Sequence, residues 1–261
     1  MAGGGVVPGL LADSLGPRAV LIALKGFASA AVRARAQAEI QLGHFGAMIA
    51  LGHEQGAEGV LFIGGLDRPN ADGFALDDYT RQHMDLSSLQ AGDDAVLRAI
   101  SDLFLRGGLE TVGALDVAPE LAMPLGTITQ AAPPQAAARD QDVRRGLQVA
   151  RALGALDIGQ AVVVQQGLVL AVEGIEGTDA LIARSAPLAR PGQAPILVKI
   201  AKPQQDMRLD IPTFGPQTVD GLARHGFGGA FLEAERTLIV DQTAVRAAAD
   251  RADLFIEGIR F

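Results

Sequence analysis

Short apolar runs alternate with helical patterns through the first 115 residues. RAVLIALK (18–25), EGVLFIGG (58–65) and LETVGAL (109–115) read as strands, while FGAMIALGHEQG (45–56) and DDAVLRAISDLFLRGG (93–108) place apolar residues at helical spacing. The second of these ends in a glycine pair, the usual stop for a helix. Strand–helix–strand alternation predicts a parallel sheet with helices on its faces, so residues 1–130 are expected to form a Rossmann-like domain. The periodicity then lapses. Between Asp116 and Ala138 the chain carries Pro119, Pro124, Pro133 and Pro134, and 131–138 reads as a Pro/Ala-rich linker. The remainder, 139–261, opens with a helix over 140–156. It continues with strands in AVVVQ, LVLAV, PILVKI, DMRLDI, GGAFLE, TLIV and DLFIEGI, and helices at 216–224 and 242–252. This second domain is mixed α/β, and the whole chain is α/β in class.

Composition narrows the partners. A chain of 261 residues with 49% hydrophobic content can bury a sizeable core. Its net charge of −8, single Tyr and lack of Trp argue against nucleic acid, which needs basic surface and stacking aromatics. The absence of cysteine removes disulfides, thiolate metal sites and thiol nucleophiles. The stretch IGQAVVVQQGLVLAV (158–172) is too short to span a bilayer and reads as two buried strands joined at a Gln-Gly turn. No signal peptide is expected at the N-terminus.

Three stretches can carry chemistry. In AGGGVVPGLLADSL (2–15) consecutive glycines precede Pro8, which suits a first helical turn, so backbone N–H groups would face the loop. A flexible glycine-rich terminus is the equally simple reading. Pro8 and Lys25 stand where a dinucleotide fingerprint wants glycine and an acidic residue, which disfavours an oxidoreductase. In AVEGIEGTDALIAR (171–184) Thr178 is expected to cap the helix after Gly177, with Glu173, Glu176 and Asp179 close enough to hold a hard divalent cation. Acidic residues in a first helical turn also simply complement the helix dipole. In PILVKIAKPQQDMRLDIP (195–212) strand alternation would put Asp206, Arg208 and Asp210 on one face, with Lys199 and Lys202 just upstream. Such a set supplies cations for phosphate oxygens and acids for a metal or for activating water. A solvated, salt-bridged strand is the plain alternative. His44, His53, His83 and His225 show no metal-ligand spacing. GGLDRP (64–69) and GDDAVLR (92–98) are explained by turn and cap chemistry.

Taken together, AGGG (2–5), GDDAVLR (92–98), LDIGQAVVVQQGLVLAVEGIEGTDALIAR (156–184) and KIAKPQQDMRLDIPTFG (199–215) resemble the LpxI-type UDP-2,3-diacylglucosamine hydrolases of lipid A biosynthesis. The resemblance implies a two-domain cytoplasmic enzyme, peripheral to the inner membrane. It would use Mg2+ and water to cut the substrate pyrophosphate at the α-phosphorus, giving UMP and 2,3-diacylglucosamine 1-phosphate (lipid X). The catalytic aspartate of the family's RxDxP element maps to Asp210. On this reading Lys202 and Arg208 join Asp210 as catalytic residues, with Lys199 also facing the pyrophosphate. Gly3, Gly4, Gly5, Thr178 and Gln160 would contact substrate, and Asp210, Glu173 and Asp179 would neighbour the metal. Domain closure would assemble these groups, and a homodimer is plausible from the family. One departure stands out: family members carry an apolar strand directly before the AGGG loop, where Met1 stands here. The rival reading is a non-catalytic nucleotide-sugar or lipid-binding protein, which turnover would separate from the enzyme.

Overall fold

The computed structural model describes residues 1–65, 75–85, 93–134 and 136–260, without the side chains of 93–94 and 136–138. The larger parts of the GGLDRP turn and the GDD cap therefore lie outside the described residues. Internal contacts divide the chain into two compact units, Met1–Pro119 with Asp206–Asp210, and Glu120–Gln205 with Ile211–Phe261. The chain thus passes between units three times, and the 131–138 stretch belongs to the second.

The first unit runs α1 (Val7–Leu15), β1 (Ile22–Leu24), α2 (Ala30–Arg33), β2 (Ala38–Ile40), α3 (Phe45–Glu54), β3 (Gly59–Val60), α4 (Asp78–His83), α5 (Asp93–Arg106), β4 (Glu110–Thr111) and α6 (Ala114–Val117). β1 pairs with β2 and β3 with β4, both parallel. The two pairs are joined through the chain start. Ala2 bridges Ala23 on one side and Ile63 on the other, again parallel. The N–H of Ala2 donates to Ile22 O at 2.9 Å and that of Gly3 to Ile63 O at 2.9 Å. Met1–Gly3 therefore lie between β1 and the chain that follows β3, bridged in parallel to both. The order is that of a Rossmann-like open sheet of alternating strands and helices. Its core gathers Phe45, Met48, Phe62, Leu103 and Phe104, and Leu209 enters it from the distant 206–210 segment. Phe104 meets Phe45 and Phe62 edge-on, with ring centroids 5.9 and 5.5 Å apart.

The second unit contains β5 (Gly126–Thr127), α7 (Ala136–Ala155), β6 (Ala161–Gln165), β7 (Leu168–Val172), α8 (Thr178–Ser185), β8 (Ile196–Lys199), β9 (Thr213–Phe214), α9 (Pro216–Arg224), β10 (Gly229–Glu233), β11 (Leu238–Ile239), α10 (Gln242–Arg251) and β12 (Phe255–Ile259). Six strands form a mixed sheet in the order β5-β12-β10-β8-β6-β7. β8, β10 and β12 are mutually parallel, and β6 runs against β8. Burial on both faces explains the apolar runs of β6, β8 and β10. Ile196 and Val198 pack beneath α7, while Leu197 faces the core built with α8, α9 and α10. A Cβ on Gly146 would lie 2.6 Å from a Val198 methyl, so this glycine lets α7 close on the sheet. The Gln-Gly turn forms as expected, with Gln166 and Gly167 both at positive φ. β6 is buried throughout, but β7 is a sheet edge and only partly buried.

One carboxylate is buried in this sheet. Glu257 is 7% exposed on β12 and pairs with Arg139 of α7, whose guanidinium also lies 5.6 Å from the Phe231 ring centroid. Glu257 Oε2 has no hydrogen-bond partner among the described residues. Burial pushes the Glu257 carboxyl above its ordinary range, against the pull of the Arg139 charge.

Candidate active site

The glycine loop closes the head of the bridged Met1–Gly3 segment. Gly4 N donates to Gly65 O at 2.7 Å and Gly65 N returns a bond to Gly4 O at 3.1 Å. A Cβ on Gly3 would lie 2.5 Å from Gly65 O, and one on Gly64, at φ +95, would lie 2.6 Å from Gly4 O. The two backbones interlock because neither carries a side chain there. Directly after the loop α1 begins, with Pro8 in its first turn, no side-chain cap and no acidic residue beside its N-terminus. That end of the helix is therefore electrically suited to an anion.

In the second unit, four sequence-nominated residues come together at one end of the sheet. Lys199 closes β8, opposite Ala161 at the start of β6, and Glu173 follows the end of β7. Lys199 Nζ donates to Thr178 Oγ1 at 3.0 Å and to Thr213 O at 2.9 Å. Thr178 Oγ1 donates to Glu173 Oε1 at 2.6 Å, and the Gln160 backbone N–H donates to Glu173 Oε2 at 2.8 Å. Lys199 and Glu173 are 6% and 5% exposed, so an ammonium and a carboxylate are held in low dielectric by a shared hydroxyl. A Cβ on Gly159 would lie 2.4 Å from Glu173 O, which is why glycine precedes Gln160. Gln160 Oε1 is buried without a hydrogen-bond partner among the described residues. Thr178 does not cap α8: the N-cap is Gly177 at φ +79, and the Thr178 hydroxyl serves Glu173 instead.

The three carboxylates of this stretch do not converge. Glu176 pairs with Arg184, Asp179 accepts from Thr218 Oγ1 at 3.0 Å, and Glu173 uses both oxygens on Thr178 and Gln160. Among the described residues no group of three or more His, Asp or Glu side chains is placed to hold a metal ion. With the Lys199 ammonium next to Thr178, the Glu173 network does not fit a preformed all-protein cation cage. Magnesium is more often carried by one or two carboxylates together with substrate phosphates.

The segment 206–211 is not a strand. The Asp206 carbonyl accepts from the N–H groups of Leu209 and Asp210, and the Asp206 carboxylate accepts from Arg208 N, Nε and Nη2 at 3.0, 3.0 and 2.7 Å. An aspartate that bonds the backbone two residues on closes a turn, and that local bond wins over a ladder for which the segment has no strand partner among the described residues. The shared face of Asp206, Arg208 and Asp210 dissolves with the strand. Leu209 alone is driven into the core of the first unit, while Arg208 and Asp210 stay exposed. The Arg208 hydrogen bonds hold the Asp206 carboxyl below the usual range. Lys202 is ion-paired with Asp157, and Gln204 Nε2 donates to Gly154 O at 2.7 Å, fixing 202–204 against the end of α7. His53 and His83 each contact a main-chain carbonyl, of Gly107 and Tyr79, in keeping with structural roles.

A glycine loop at the head of a parallel sheet and a buried lysine–threonine–glutamate chain at strand ends mark a two-unit α/β protein with polar groups gathered at its strand ends. The LpxI N-terminal domain family matches residues 1–121 and the LpxI C-terminal domain family matches 124–257, so the chain belongs to the LpxI family. A relative from Caulobacter vibrioides, named UDP-2,3-diacylglucosamine pyrophosphatase LpxI, is 39% identical over 272 residues, covering 99% of this chain and 96% of the relative.

Proposed function

We propose that this protein hydrolyses the pyrophosphate of UDP-2,3-diacylglucosamine in lipid A biosynthesis. The observation that carries the reading is a match to the named relative along nearly the full length of both chains. The chemistry of the residues supports it. A pyrophosphate cleavage gathers negative charge on the bridging oxygen and the phosphoryl oxygens, and a fixed cation stabilises that charge more in the transition state than in the ground state. Lys199 is such a cation, aimed by the Thr178 hydroxyl and the Thr213 carbonyl. Glu173 orients Thr178 and so acts as a positioning residue. Gln160 Oε1, buried without a partner, offers an acceptor to a substrate hydroxyl or amide N–H. Asp210 is assigned to the activation of water at the α-phosphorus, with UMP and lipid X as products, and the Gly3–Gly5 loop to the nucleotide phosphates. Lys202 and Arg208 contribute positive charge once released from Asp157 and Asp206. Asp179 of the second unit is a carboxylate that would hold Mg2+ carried on the substrate pyrophosphate, and the ion when bound would supply neutralisation of phosphoryl charge. The same reading puts the reaction at the cytoplasmic face of the inner membrane, where the acylated substrate would be presented.

The test is incubation of the full chain with UDP-2,3-diacylglucosamine in water enriched in oxygen-18, with magnesium or with EDTA. Labelled UMP formed only with magnesium is the expected result. Label in the lipid product would move the attack to the other phosphorus, and substrate binding without turnover would replace the enzyme by a binding protein.

A further inference from the structure

Two loops of the second unit carry large apolar side chains that nothing covers. Between α7 and β6 run Leu156, Asp157, Ile158, Gly159 and Gln160, and between β7 and α8 run Glu173, Gly174, Ile175, Glu176 and Gly177. Leu156 is 70% exposed, Ile158 47% and Ile175 fully exposed. The loops are neighbours: Glu173 N donates to Ala161 O at 2.9 Å, and the Gln160 N–H bonds the Glu173 carboxylate. Ile158 lies two residues before Gln160 and Ile175 two residues after Glu173, so the apolar side chains flank the lysine–threonine–glutamate network.

Their charges are balanced locally. The other carboxylates of the two loops are Asp157 and Glu176, and each is paired, with Lys202 and with Arg184. A protein of net charge −8 thus presents at this place an apolar edge without excess negative charge. Clustered exposed apolar side chains mark a site for a partner or a lipid surface. Three side chains bury far too little for a stable protein interface, which needs roughly 800 Å2 on each partner. They suit an interface that accepts isolated apolar side chains, the headgroup–acyl boundary of a bilayer.

We propose that Leu156, Ile158 and Ile175 form a lip that dips into the surface of the lipid bilayer and brings the neighbouring network to a membrane-held substrate. The proposal rests on the reading that the substrate carries acyl chains.

The protein contains no tryptophan, so Ile175→Trp supplies a single fluorescent reporter. On addition of phosphatidylethanolamine–phosphatidylglycerol vesicles its emission is expected to shift to the blue and to be quenched by brominated acyl chains. In flotation with the same vesicles, the double variant Leu156→Ser, Ile175→Ser should lose about tenfold in partition relative to the unaltered chain. Its kcat on substrate in detergent micelles should be unchanged, and its KM on vesicle-borne substrate should rise about tenfold. Unchanged emission, or equal flotation of the double variant, overturns the proposal. So does a dimer seen by light scattering that the double variant dissolves, because the lip would then belong to a second copy. If vesicle binding behaves as expected but micellar substrate is never turned over, the activity reading fails and the lipid contact stands.

Discussion

Replacing Arg139 by Met removes the guanidinium beside Glu257 while keeping most of the stem that lies along α7. Glu257 is 7% exposed, its Oε2 already lacks a partner, and Arg139 holds its Oε1. Stranding a buried charge in this way costs about 3–5 kcal/mol, a large share of a total stability on the order of 5–15 kcal/mol. The cost has a pH signature. Burial already raises the Glu257 carboxyl above its unfolded value, and loss of Arg139 raises it further. For an acid shifted upward, the folded state binds more protons than the unfolded state. Stability is then greatest below the unfolded pKa and falls as pH rises toward the folded one, at up to about 1.4 kcal/mol per pH unit. Between pH 5 and pH 7 the penalty of Arg139→Met should therefore grow by up to about 2.7 kcal/mol. Urea unfolding of the full chain at pH 5, 6 and 7, followed by far-ultraviolet circular dichroism, measures it, with Arg139→Met, Glu257→Gln as the control that removes the charge. The double variant should lose the pH dependence. A penalty of equal size at pH 5 and pH 7 would refute the reasoning and reduce Arg139 to its packing against Phe231.

Asp210→Ala is expected to abolish turnover while leaving substrate affinity within a few-fold, as read by steady-state kinetics and isothermal titration; near-normal turnover would remove Asp210 from the chemistry. Lys199→Met should lower kcat by about 100-fold, the scale of one preorganised electrostatic contact, with circular dichroism unchanged. Leu209→Ala should destabilise the first unit by about 2–5 kcal/mol in urea melts, because Leu209 belongs to that core and not to a strand of the second unit. Gly64→Ala should weaken nucleotide binding and cost about 1–3 kcal/mol, since its Cβ meets Gly4 O at a backbone angle that alanine resists.

The alternation of apolar runs and helical spacing was enough to find β1, β3, β4, α3 and α5, because each pairs a strong local period with a clear stop. The same logic located β6, the Gln-Gly turn, α9 and α10. It passed over β2 (AEI) and β5 (GT), which are too short to show a period and exist through their neighbours. It misread DMRLDI, whose alternation is real but serves an Asp206-centred turn with one buried anchor. In the candidate site Glu173 and Thr178 share one stretch of sequence, but their union with Lys199 and Gln160 depends on the β6–β8 register. The lip was invisible for the opposite reason: Leu156, Ile158 and Ile175 look like core residues, and only exposure distinguishes them.

The threefold passage of the chain between units bears on how the protein is made. An N-terminal domain ordinarily folds on the ribosome as soon as it has emerged. Here the core of the first unit lacks Leu209 until about 90 residues after Pro119 have been translated, roughly 5–20 s at ordinary elongation rates. Through that interval the nascent first unit is without a side chain that completes its core. No single cut in the chain yields two complete units.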